Sequence, residues 1–265
     1  MTLRGTLASL VLIWPLLLCQ AIQASDTSPR TARQYDIEVL ATRPTERRNF
    51  TQGLFIQGGE LFVSSGLYGQ SAVRVYAWPE MDLLREESLP DQIFAEGLTV
   101  TGDRIYLLTW RSRELLVLDS QTLASVGRAR IGGEGWGITH QANKLWLSDG
   151  TNRLYRIDLA EGGKVTPLAV TLDGRPLARL NELEYIDGRI WANVWQTNNI
   201  VIINPESGWV EGVVHLDGLL LPEQRQANTD VLNGIAYDAA AKAIWVTGKR
   251  WPTMYQITLK SRSAN

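Results

Sequence analysis

Glu96 sits directly before Gly97 and the apolar residues Leu98 and Val100, and Lys249 follows the run Ala243–Gly248. When the stretches that resemble each other along the chain are aligned, the slot of Glu96 is filled elsewhere by Gln52, Trp136, Asn181 and Asn233. The slot of Lys249 is filled by Gly66, Trp110, Gly150 and Trp195. Slots with a purely structural task should hold similar residues, and these do not. Together they hold one acid, one amine, several amides and three indoles, the composition of a small-molecule or peptide-end site. A carboxyl among indoles is partly desolvated, which disfavours its charged form and moves its pKa towards the range useful for proton transfer. The alternative for Glu96 and Lys249 is a structural ion pair across the mouth of the site.

The elements that position these residues are read from a repeat. Five copies begin "TQGLFIQGGELFVSSG", "AEGLTVTGDRIYLLTW", "GWGITHQANKLWLSDG", "LNELEYIDGRIWANVW" and "LNGIAYDAAAKAIWVTGK". Each is an apolar run, a polar turn and a second run carrying an aromatic in register: Phe62, Tyr106, Trp146, Trp191 and Trp245. Short runs separated by Gly, Asp and Asn favour hairpins over helices. A third run follows in every copy and a fourth in the first four, with a period of about 40–50 residues, the length of a four-stranded blade. The fold expected is an all-β, five-bladed β-propeller of four-stranded antiparallel blades. Its ring would be closed by an N-terminal strand, Tyr35–Pro44, standing in for the fourth strand that the last copy lacks. In that strand Ile37, Val39 and Ala41 are expected to face the neighbouring blade. In a propeller the first strands line the channel, so both sets of slots converge on one mouth.

The rest of the composition sets limits. The chain has 265 residues and a formal net charge of -2, so nothing attracts it to nucleic acid or to an anionic membrane. It has ten tryptophans and only two histidines, His140 and His215. Arg4, the apolar "TLASLVLIWPLLLC" and the small residues Ala21 and Ala24 follow the n-, h- and c-region order of a secretory signal, and the apolar run is too short to span a bilayer. The expectation is a signal peptide over 1–24, a polar linker over 25–34, one catalytic domain over 35–265, and an exported, periplasmic or secreted protein. Cleavage after Ala21 or Ala24 removes Cys19, the only cysteine, and lipidation at Cys19 is the open alternative.

Several stretches together resemble the glutaminyl cyclases of plant and bacterial type: "NFTQGL", "FAEGLT", "LTWR", "GEGWGIT", "LNELEYIDGRIWANVWQTNNI", "LNGIAYD" and "VTGKRWP". The resemblance runs over nearly the whole chain from about Tyr35 onward. It implies glutaminyl-peptide cyclotransferase activity, in which an N-terminal glutamine of a peptide or protein becomes pyroglutamate and ammonia leaves. It carries active-site roles onto Phe50, Gln52, Phe94, Glu96, Trp110, Trp136, Asn181, Trp195 and Lys249. In that reaction Glu96 would move the proton. Gln52, Asn181 and Lys249 are the candidate oxyanion donors, and Phe50, Phe94, Trp110, Trp136 and Trp195 would bind the substrate. With two imidazoles and no thiol in the mature chain, no catalytic metal is expected, and room is left only for a structural divalent cation held by carbonyls and an Asp. The chain is expected to be monomeric. Two rival readings stay open from the sequence. One is a non-enzymatic periplasmic propeller that binds a peptide or sugar. The other is a metal-dependent, lactonase-like propeller, which would need carboxylates such as Glu96 and Glu182 to converge.

Overall fold

The computed structural model describes residues 31–262, so the expected leader 1–24 and residues 25–30 of the expected linker lie outside the described residues. Strand β1 (Arg33–Pro44) comes first and takes in Arg33 and Gln34, the end of the stretch read as a linker. The first repeat forms β2 (Thr51–Gln57), β3 (Glu60–Ser65), β4 (Ala72–Ala77) and β5 (Leu83–Ser88). The second forms β6 (Ala95–Thr101), β7 (Arg104–Thr109), β8 (Glu114–Asp119) and β9 (Ser125–Arg130). The third forms β10 (Ile138–Gln141), β11 (Lys144–Ser148), β12 (Arg153–Asp158) and β13 (Lys164–Ala169), and a small ribbon, β14 (Thr171–Leu172) and β15 (Arg175–Pro176), follows it. The fourth forms β16 (Leu180–Ile186), β17 (Arg189–Val194), β18 (Asn199–Ile203) and β19 (Val210–His215). The last forms β20 (Leu232–Asp238), β21 (Ala243–Gly248) and β22 (Thr253–Ser261).

These strands do not make five separate blades. The first three repeats are each a four-stranded antiparallel sheet, but the last two share one eight-stranded sheet in the order β16-β17-β18-β19-β1-β22-β21-β20. The reason is β1. It pairs antiparallel with β22 from Tyr35↔Ser261 to Pro44↔Thr253, and its first residues also pair in parallel with β19, Arg33↔Gly212 to Tyr35↔Val214. The expected five-bladed propeller is therefore corrected to an all-β fold of one eight-stranded sheet, three four-stranded sheets and a ribbon. A register shift between Val39 and Ala41 also overturns part of the facing expected for β1. Ile37 and Ala41 pack on apolar clusters, whereas Val39 and Leu40 are exposed, as expected when a bulge re-aims the residues around it.

The core lies between successive repeats. Phe62 and Val75 pack against Leu98 and Ile105, and Leu108 packs against Ile138 and Leu145. Leu154 meets Leu183 and Ile190, Ile200 meets Ile235 and Val246, and Trp245 meets Leu54 and Tyr76. Each such side chain, fully buried, contributes about 1.5–3 kcal/mol. The first strands adjoin in turn: β2 lies against β6, β6 against β10, β10 against β16, β16 against β20, and β20 against β2. Their entry ends therefore gather in one place. Among the described residues no helix is long and apolar enough to cross a membrane.

Candidate active site

The entry ends of the first strands are irregular. The ladder between first and second strands slips between Thr51 and Gly53, between Ala95 and Leu98, between Leu180 and Leu183, and between Leu232 and Ile235. Gln52, Glu96, Asn181 and Asn233 lie in these four bulges, where side chains are re-aimed and pairing stops. The carbonyls this frees are taken up by serines. Ser64 Oγ donates to the main-chain oxygen of Glu96 at 2.5 Å, and Ser148 Oγ donates to that of Asn181 at 2.7 Å. Trp136 lies two residues before β10, with its N–H on the Ser148 oxygen at 3.0 Å. Trp110, Trp195 and Lys249 each follow the last residue of a second strand, and Phe50 and Phe94 each precede a first strand by one residue.

These elements bring all nine residues named from the sequence around one pocket of about 410 Å3, together with Leu67, Gln196, Asp230 and Val231. One aromatic wall runs from Phe50 through Phe94 to Trp110, with centroid spacings of 6.3 and 5.4 Å, and Tyr68 extends it outward, 5.4 Å from Phe94. The other is the edge-to-face pair Trp136–Trp195, at 5.4 Å and 85°, an arrangement that aromatic quadrupoles favour. Lys249 Nζ lies 4.9 Å from the Phe50 ring centroid, a cation–π distance.

The glycines in the Lys249 slot now have a cause. A Cβ on Gly150, whose φ is +78°, would come within 2.7 Å of the Trp136 indole. A Cβ on Gly66 would come within 2.5 Å of the Phe94 ring. These slots are empty so that an aromatic from elsewhere can fill them. Asn233 is the one member of the Glu96 slot series that does not line the pocket. It is fully buried, and its Nδ2 donates to Thr51 O at 3.0 Å and to Gln52 Oε1 at 3.4 Å, so it supports Gln52 from below.

Glu96 is 6% exposed and Lys249 5% exposed. Among the described residues neither takes part in a close ion pair, and no protein donor reaches the Glu96 carboxylate. Burial pushes the Glu96 carboxyl well above its ordinary range; the Lys249 amine opposes that shift and the Glu134 carboxylate adds to it. Burial pulls the Lys249 amine down, against the pull of Glu96 and Asp230 in the other direction. The pair is thus an acid held ready to keep a proton and an amine held ready to give one up.

Sequence reading missed Glu134, whose carboxylate accepts from the indole nitrogens of both Trp110 and Trp136. The signal was present. Phe50 and Phe94 lie two residues before Gln52 and Glu96, and Glu134 and Val231 stand at the same offset before Trp136 and Asn233. The two imidazoles are engaged elsewhere: His140 Nδ1 lies 2.8 Å from Thr99 Oγ1, and His215 lies 2.8 Å from Gln34 Oε1. Among the described residues no three His, Cys, Asp or Glu side chains gather as metal ligands. Glu182 does not converge on the pocket with Glu96 but bonds the main chain of β20, where its Oε2 accepts the Ile235 N–H at 2.9 Å. A larger cavity, about 760 Å3, opens at the far ends of β2 and β20, but its Asp238 accepts from Trp78 Nε1 at 2.8 Å and it holds no free acid beside an amine.

The family model for glutamine cyclotransferase matches residues 10–259. A glutaminyl-peptide cyclotransferase of Arabidopsis thaliana is 40% identical over 236 residues, which cover 86% of this chain and 73% of that protein. The crystal structure of Myxococcus xanthus glutaminyl cyclase matches with a TM-score of 0.79 at 30% identity, covering 88% of this chain and 100% of that one. With its family model, a relative at this identity and a solved structure all matching over most of its length, the chain belongs to the glutamine cyclotransferase family.

Proposed function

We propose that Glu96 is the proton shuttle of a glutaminyl-peptide cyclotransferase reaction in this chain. The enzyme class follows from family membership. The observation that carries the role is a buried carboxyl, raised in pKa and free of protein donors, facing a pocket walled by indoles. The α-amine of an N-terminal glutamine attacks its own side-chain amide carbon, so nucleophile and electrophile arrive tethered, and the protein supplies conformation and proton transfer. Glu96 takes a proton from the attacking nitrogen as the C–N bond of the ring forms. It delivers that proton to the amide nitrogen as the old C–N bond breaks and ammonia departs. Gln52, Asn181 and Lys249, which line the same pocket, are the donors available to the developing oxyanion. The indoles exclude water, which favours ring closure over hydrolysis.

The reaction in this form needs no metal: proton transfer and oxyanion stabilisation are both assigned to side chains, and both imidazoles are bonded elsewhere. The composition of residues 1–24 supports export to the periplasm or beyond. The test is a peptide beginning with Gln, offered with its α-amine free or acetylated. The free peptide should release ammonia and form pyroglutamate, and the acetylated one should release none. Ammonia from the acetylated peptide would make the activity that of an amidase. Turnover should also survive dialysis against a chelator.

A further inference from the structure

The two indole walls of the pocket arise on different sheets, and one side chain outside the nine joins them. The Trp110 Nε1–H donates to Glu134 Oε2 at 2.7 Å, and the Trp136 Nε1–H donates to the same oxygen at 3.2 Å. The other oxygen, Oε1, lies 3.9 Å from Arg111 Nε, and the Arg111 guanidinium lies over the Trp110 ring at 4.1 Å. The loop that carries Glu134 is itself fixed by the main chain. The Ile131 N–H donates to Arg113 O at 3.0 Å, and the Gly135 N–H donates to Thr109 O at 3.3 Å. One carboxylate oxygen therefore ties the end of β7 to the approach of β10. An indole whose N–H is held by a charged acceptor loses its freedom to swing about its side-chain torsions.

We propose that Glu134 is a positioning residue for the cyclisation site, clamping Trp110 and Trp136 at the spacing that grips the glutamine side chain and placing a negative charge behind the two indoles that share the pocket with Glu96. The electrostatic half rests on the reading of Glu96 as the proton shuttle; the clamp does not. Lys249 favours the Glu96 carboxylate and Glu134 disfavours it, while Arg111 is the cation that faces Glu134. The Glu134 side chain is 37% exposed, so solvent screens its charge and the influence on Glu96 is modest.

Two variants of the full chain separate the halves. In Glu134→Gln the amide oxygen can still accept from both indoles, and only the charge is lost. In Glu134→Ala both acceptors are lost. Glu134→Ala should raise KM for a Gln-leading peptide about tenfold or more, the scale of a lost hydrogen bond to a charged group. Its kcat should fall by less than about threefold, and its near-ultraviolet circular dichroism should change as two indoles lose a fixed orientation. Glu134→Gln should keep KM and the dichroism. It should move the acid limb of kcat/KM to lower pH, by about half a unit, because a negative charge that raised the Glu96 pKa is gone. Wild-type KM and dichroism in Glu134→Ala would overturn the clamp, and an unmoved acid limb in Glu134→Gln would overturn the electrostatic role. If the Glu96 reading itself were wrong, Glu96→Gln would turn over normally, and the KM and dichroism of Glu134→Ala would still decide the clamp.

Discussion

Three carboxyls are buried on the first strands, and they behave differently at the mouth and in the shaft. Glu96, Glu182 and Glu184 are 6%, 0% and 2% exposed, and burial pushes all three above the ordinary carboxyl range. At the mouth, Glu96 has no protein donor and faces a pocket. On β16, beyond the intervening β10, Glu182 Oε2 accepts the Ile235 N–H at 2.9 Å and Glu184 Oε1 accepts the Tyr237 N–H at 3.0 Å. These two side chains do for β16 and β20 what main-chain carbonyls do inside a sheet, two residues apart on one strand and two apart on the next. The neighbouring seams are closed differently. Gly53, Gly97, Gly137 and Gly234 occupy the slot of Glu182, and a Cβ on Gly137 would lie 2.0 Å from Asn181 O. At Gly53, Gly97 and Gly137 the glycine lets two backbones meet, at Gly234 it faces the Thr51 and Thr247 side chains, and the fifth seam is spanned by carboxyl side chains. A raised pKa is thus common to both regions, and what separates them is that Glu182 and Glu184 each hold a main-chain N–H on one oxygen while the Glu96 carboxyl holds none and faces the pocket.

The comparison breaks most sharply at Glu96. Glu96→Gln should melt no lower than wild type and lower turnover by at least about a hundredfold, since an amide keeps the shape but cannot carry the proton. Near wild-type turnover would place Glu96 with the other two. Glu182 should respond the other way. Glu182→Ala strands the buried Ile235 N–H and should cost about 2 kcal/mol, seen as a lower midpoint in denaturant. Its kcat per folded molecule should change by less than about threefold, and Glu182→Gln, which keeps an acceptor, should recover most of the loss. An alanine variant as stable as wild type would remove Glu182 from the seam.

The strands were legible because alternation and turn residues are local properties. Every quoted hairpin falls on a real pair, such as β6 and β7 for "AEGLTVTGDRIYLLTW". The fusion of the last two repeats was not legible, because it depends on three residues, Arg33 to Tyr35, lying parallel to β19, and the first two of them fall in the stretch that reads as polar linker. Seven of the nine pocket residues were legible as slots that refuse to repeat, Phe50 and Phe94 came only from the family resemblance, and the structure gathers all nine in one place. Asn233 shows the limit of that reasoning. Its slot is equivalent in sequence, yet its bulge turns the amide onto Thr51 and Gln52 instead of into the pocket. The position of Glu134 was legible from its offset before Trp136, but its role was not, because that lies in a hydrogen bond shared by two indoles from different repeats.

The smallest expected effect concerns Glu184 and is read in stability alone. Burial raises its carboxyl from 4.5 to about 8, against the Tyr237 N–H and the Thr139 hydroxyl, which favour the charged form. A group whose pKa is higher in the folded state binds a proton there that the unfolded chain has released. Its contribution is therefore complete below about 4.5 and is lost as pH rises through about 8. Glu182 and Glu96, also raised, act in the same sense, so removing one of the three flattens the profile without abolishing it. Between mildly acidic and mildly alkaline pH the wild type should lose stability, and Glu184→Gln should recover about 1 kcal/mol of that loss, within the limit of one proton. The glutamine is neutral at every pH and can still accept the Tyr237 N–H, so the seam itself is kept. Denaturant midpoints for both chains at either end of the window measure the difference. If the two curves ran parallel, Glu184 would carry its charge in the folded protein, and the shaft would differ from the mouth in protonation as well as in bonding.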